Sequence, residues 1–129
     1  MAIKQKIAIL EDDSAMVKSL TRALTEGGYE VYSAIDGETG LRNIEQNRPD
    51  LIVLDIILPR KSGFEVMEAL SSDPVLSRIP VMVLTNLESS QDINRMTEMG
   101  AKSFLVKTNY SLDEIVEKIK EALDKYNHK

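Results

Sequence analysis

Apolar positions along the 129-residue chain switch repeatedly between two periods. Residues 6–10 form a short apolar run that stops at Glu11-Asp12-Asp13, which reads as a strand. From Ser14 to Glu26 the spacing becomes helical. Val17, Leu20 and Leu24 share one face, and Gly27-Gly28 is the stop. A second strand is expected over 29–34, then a helix capped by Asp36 and running to about residue 46, with Leu41 and Ile44 inward. Arg48-Pro49-Asp50 breaks that helix and leads into Leu51-Ile52-Val53-Leu54, a continuous apolar run ending abruptly in Asp55. Such a run between turn residues is the mark of a strand buried on both faces of a parallel sheet. Pro59 and Gly63 turn the chain into a helix over 62–72, and a loop carries it to Pro80. Residues 81–84 give a fourth buried strand ending at Thr85, then a helix over 89–99 stopped by Gly100. A fifth strand over 103–106 ends at Lys107. Ser111 and Glu114 have capping-box spacing, and Leu112, Ile115, Val116, Ile119 and Leu123 follow at helical intervals.

Strand and helix thus alternate five times, with no repeat, linker or low-complexity stretch, and residues 1–129 read as one α/β domain. Right-handed crossovers and a parallel sheet covered on both faces follow. For five units of this size the expected solution is the flavodoxin-like (βα)5 three-layer sandwich, with strand order 2-1-3-4-5. That order brings Glu11-Asp12, Asp55, Thr85 and Lys107 to one rim.

Charge and composition narrow the chemistry. A net charge of -5 argues against nucleic acid as a direct partner. The absence of cysteine excludes disulfides and thiolate metal sites and makes a cytoplasmic location the default. No apolar run approaches the roughly 20 residues needed to span a bilayer, so no membrane insertion is expected. The amino end is too short and polar for a signal peptide. The one histidine, His128, lies in the tail, which argues against histidine-based catalysis.

At the rim, three carboxylates crowded into a partly dry site repel one another unless a cation sits among them. All-oxygen ligands without His or Cys select a hard cation, and Mg²⁺ suits a rim open to solvent and phosphate. A phosphoryl group on Asp55 would have its remaining charge held by the Lys107 ammonium and the Thr85 hydroxyl. Asp55 is then a nucleophile forming an aspartyl phosphate. The plainer alternative is a structural Lys107–Asp55 ion pair with the other acids as helix caps. Four reactive groups at four separate strand ends favour the phosphoryl site.

These residues, with Leu58-Pro59, Gly63 and Gly100-Ala101 running into Phe104-Leu105-Val106-Lys107, resemble the receiver domains of two-component response regulators, of the chemotaxis-regulator type. The resemblance covers essentially the whole chain. It implies a phosphoaccepting signalling protein rather than an enzyme, with self-phosphorylation and self-dephosphorylation activity. Phosphotransfer to Asp55 would come from a histidine kinase or histidine phosphotransfer protein, with Mg²⁺ required. It implies that Asp12 ligates the metal directly, that Glu11 acts through water, and that the Ile57 carbonyl is a further contact. Asp13 is then the N-cap of the first helix. It also implies that phosphorylation draws Thr85 inward and lets Phe104 rotate inward. The face of the fourth helix, fifth strand and fifth helix would then bind an unknown downstream protein.

Two departures from that pattern stand out. Thr108 replaces the proline usual after the lysine, so a trans peptide and a differently shaped following loop are expected. Asn86 is bulkier than the usual residue and is expected to narrow access to Asp55 or reshape the loop after strand four. Ile57 and Leu87 occupy the positions that border the hydrolytic water in the family. Being apolar, they imply slow self-dephosphorylation. A dehalogenase-type phosphatase would want a second acid at position 57, a flavodoxin would not tolerate acids after strand one, and a P-loop is absent. A phosphorylation-independent binding module on the same fold remains the alternative. The chain reads as a stand-alone receiver, a relay intermediate or a piece of a longer regulator.

Overall fold

A computed structural model describes residues 3–87 and 89–126. His128 lies outside the described residues. The chain forms β1 (Lys6–Leu10), α1 (Ser14–Glu26), β2 (Glu30–Ala34), α2 (Gly37–Asn47), β3 (Leu51–Leu54), α3 (Gly63–Ser71), β4 (Val81–Thr85), α4 (Ser90–Glu98), β5 (Ser103–Val106) and α5 (Leu112–Tyr126). The five strands are parallel in the order β2-β1-β3-β4-β5, the flavodoxin-like arrangement expected from the alternation.

The continuous apolar runs follow from burial on both faces. Ile7 and Ile9, Leu51 and Val53, and Met82 and Leu84 point to one side and pack with Leu20 and Leu24 of α1 and Ile115, Ile119 and Leu123 of α5. The alternate residues Ala8 and Leu10, Ile52 and Leu54, and Val81 and Val83 point to the other side. There they meet Ile44 of α2, Val66 and Leu70 of α3, and Met96 of α4. A strand with period-2 side chains and two apolar layers above and below it has no position free for a polar residue until it leaves the sheet. In the three central strands the polar residues therefore collect at the strand ends.

The caps form where the residue types demanded them. Asp13 accepts the Met16 N–H at 3.2 Å and Asp36 accepts the Thr39 N–H at 2.7 Å. Ser111 and Glu114 make both halves of their capping box, at 3.1 and 2.8 Å. Boundaries move by about a residue at β2 and α2, the latter because Arg48 closes α2 in a left-handed conformation with φ of 45°. Among the described residues the loops also contain short 3-10 turns at Leu76–Arg78 and Lys107–Asn109, which carry no apolar periodicity to mark them in the sequence. The peptide after Lys107 is trans, as expected for Thr108, and the chain leaves β5 through the second of these turns. Among the described residues no helix is long and apolar enough to cross a membrane.

Candidate functional site

The sheet register sets the site. Leu10 lies beside Leu54, and the Asp55 N–H continues the ladder onto the Leu10 carbonyl at 3.0 Å. Glu11 and Asp55 are thus the first residues past two adjacent central strands. Thr85 ends β4 beside Val106, so Lys107 leaves β5 one step further along the same rim. All four groups that the sequence assigned to one rim converge there.

Their environments differ sharply. Glu11 is 2 % exposed, Asp55 6 % and Thr85 1 %, whereas the neighbouring Asp12 is exposed. The Lys107 ammonium lies between the two buried acids, 2.9 Å from Asp55 Oδ2 and in direct contact with Glu11 Oε1. The second Glu11 oxygen accepts the Asp13 N–H at 3.3 Å, and Asp55 Oδ1 accepts the Ile57 N–H at 3.3 Å. Burial pushes the Glu11 carboxyl up from 4.5 to about 7; the Lys107 hydrogen bond opposes this and the Asp55 charge adds to it. For Lys107 burial alone disfavours the charge, but the hydrogen bonds to Glu11 and Asp55 outweigh it and hold the ammonium above its ordinary value.

Asp55 opens onto a recess of about 290 Å³ bordered by Asp12, Asp13, Ile57, Thr85, Asn86, Leu87 and Lys107. Carboxylate oxygens of Glu11, Asp12 and Asp55 come within 4.8 Å of one another, a donor set that could hold a metal ion. A hard cation fits that set by chemistry, since every donor is an anionic oxygen. Glu11 is set behind the recess and Asp12 at its edge. Asp13 borders the recess but spends an oxygen on its helix cap. Ile57 is 60 % exposed and Leu87 half-buried, and both border the opening above Asp55. Thr85 Oγ1 accepts the Leu87 N–H at 3.4 Å, which ties the loop after β4 to the hydroxyl in the site. Asn86 is exposed and borders the recess onto which Asp55 opens. Phe104 is half-buried against the apolar layer that contains Met96, beneath α4.

Gly63 plays a part that its turn propensity did not disclose. A Cβ there would stand 2.4 Å from the Asp55 carbonyl oxygen and 2.6 Å from Ile56 Cα, so only glycine lets α3 begin against the acceptor's own backbone. The Gly63 N–H donates to the Ile56 carbonyl at 2.7 Å and fixes that approach. The sequence also gave no sign of the Arg95 guanidinium over the Phe64 ring, 3.9 Å from its centroid, since the pair is separated by a whole βα unit.

Comparison with known proteins agrees with this geometry. The model of the response regulator receiver domain matches residues 7–120. The transcriptional regulatory protein PrrA of Mycobacterium tuberculosis is 39% identical over 118 residues, which are 92% of this chain and 49% of PrrA. The chain therefore spans about half the length of that relative. Among solved structures, the phosphorylated cyanobacterial phytochrome response regulator RcpA superposes with a TM-score of 0.84 at 30% identity, covering 98% of this chain and 96% of RcpA. The Mn²⁺-bound response regulator Rcp1 gives 0.79 at 27% identity, covering 93% and 92%. With the sheet order, the rim of acids and the matched residues in agreement, this chain belongs to the response regulator receiver domains of two-component signalling.

Proposed function

We propose that this receiver takes a phosphoryl group onto Asp55 from a phosphohistidine of a histidine kinase or phosphotransfer protein, in the cytoplasm, and passes the change to a partner-binding face. The carrying observation is the pairing of a single ammonium, Lys107, with Asp55 at the floor of an open recess beside Thr85. An Asp55 oxygen attacks phosphorus as the bond to the donor imidazole nitrogen breaks, and the leaving imidazole takes a proton. Lys107 then moves its hydrogen bond from the carboxylate to a phosphoryl oxygen, and the Thr85 hydroxyl donates to another. Asp12, Asp55 and the Ile57 carbonyl, with Glu11 through water, would hold Mg²⁺, which supplies charge neutralisation for the arriving group. That Rcp1, a response regulator of the same fold, has a Mn²⁺-bound form supports a divalent cation for this chain. Acetyl phosphate with Mg²⁺ is expected to add one phosphoryl group to the protein and none to Asp55→Asn, read by intact mass. Undiminished labelling of the variant would overturn the choice of acceptor. Failure to label the unaltered protein would favour a binding module that works without phosphorylation.

A further inference from the structure

Helix α4 is held to the body of the domain by little. Within Ser90–Glu98 only Met96 is fully buried, whereas α5 buries five side chains. Its N-cap, Ser89, makes no side-chain capping bond, unlike Asp13, Asp36 and Ser62 at the starts of α1, α2 and α3. Against so small an anchorage, one further contact carries weight. The exposed Arg95 side chain of α4 reaches to α3, where its guanidinium stacks 3.9 Å from the centre of the Phe64 ring in that helix's first turn.

The two ends of this stack belong to different arms of the site. Phe64 follows Gly63, whose backbone is pressed against the Asp55 carbonyl, so Phe64 is fixed relative to the acceptor. Arg95 stands on α4, the helix that follows β4 in the chain, and the Leu87 N–H donates to Thr85 Oγ1 at the end of β4. A motion of Thr85 toward a phosphoryl group on Asp55, as the proposed function entails, would change that bond. The stack ties α4 to α3 at the side chain of Phe64.

We infer that the Arg95–Phe64 stack is a latch that holds α4 against α3 in the unphosphorylated receiver and sets how readily the site is occupied. This rests on the proposed phosphoacceptor function. A contact made only in the resting arrangement lowers the apparent affinity for any ligand that favours the other arrangement, by the factor the contact contributes. For a cation on an aromatic ring at a partly exposed site that factor is about threefold.

Beryllofluoride with Mg²⁺ stands in for the phosphoryl group, and its dissociation constant is the quantity to measure in Arg95→Gln, Arg95→Lys and Phe64→Leu. Gln and Leu keep bulk while removing the cation or the ring, and Lys keeps the cation. Arg95→Gln and Phe64→Leu are expected to bind about threefold more tightly and to exchange the amides of residues 90–98 faster, with the sheet unchanged. Arg95→Lys is expected to retain most of the original affinity. Affinities equal to or weaker than the parent's in both Gln and Leu variants, with the parent binding normally, would overturn the latch alone. A parent protein that takes up no beryllofluoride would overturn both the latch and the function beneath it.

Discussion

Replacing Lys107 by alanine tests the electrostatics of the site without any ligand. In the metal-free protein its ammonium is the counter-charge shared by Asp55, at 2.9 Å, and Glu11, both almost fully buried. Removing one member of a buried ion pair costs roughly 3–5 kcal/mol, and the opening of Asp55 onto a recess places this case at about 3 kcal/mol. For a domain of this size that is a fall in Tm of about 12 °C at pH 8. The pH dependence follows from Glu11, whose carboxyl is raised to about 7 chiefly by burial. A carboxyl raised in the fold contributes its stability in full below the unfolded value of 4.5, and that contribution is lost as pH rises through about 7. At pH 5 Glu11 is protonated with or without Lys107, so the ammonium then balances the Asp55 charge alone, whereas at pH 8 it balances both acids. The deficit of Lys107→Ala is therefore expected to shrink to about half at pH 5, measured by calorimetry in chelator at both pH values. A deficit under about 3 °C at pH 8, or one of equal size at pH 5, would refute the shared-counter-charge reasoning.

Millimolar Mg²⁺ is expected to raise Tm, because a cation relieves repulsion present only in the fold. Asp12→Ala should abolish most of that increment. Asp13→Ala should keep it while losing about 1 kcal/mol of helix cap; the opposite ranking would reassign the metal pair. Ile57 and Leu87 both border the recess, so Ile57→Asn with Leu87→Glu is expected to speed acyl-phosphate decay about tenfold, or about 1.4 kcal/mol of barrier. An unchanged decay with Mg²⁺ binding intact would show that these chains do not control the water. If Phe104 turns with phosphorylation, amide exchange should change over residues 85–90 and 103–110 on beryllofluoride binding. Changes confined to the loop after Asp55 would argue against that coupling.

Sequence by itself determined the elements, their order and the residues at the rim. Each of these is local: apolar runs such as Leu51–Leu54 report burial on two faces, and Asp13, Asp36 and Ser111 cap the helices they immediately precede. The strand order then followed, because parallel crossovers of one hand leave few alternatives. Tertiary structure alone decided which of two adjacent acids is buried and which is exposed. Glu11 and Asp12 are chemically similar neighbours, yet one is buried on Lys107 and the other exposed beside the recess. Successive residues leaving a strand face opposite ways, and which way is wet depends on the loops brought over the rim from β3 and β5. The same limit hid the Arg95–Phe64 stack and the contact of Gly63 with the acceptor's backbone. Both depend on the distance between elements that touch only after the sheet has twisted and the helices have settled on it, and local residue preference carries no record of that distance.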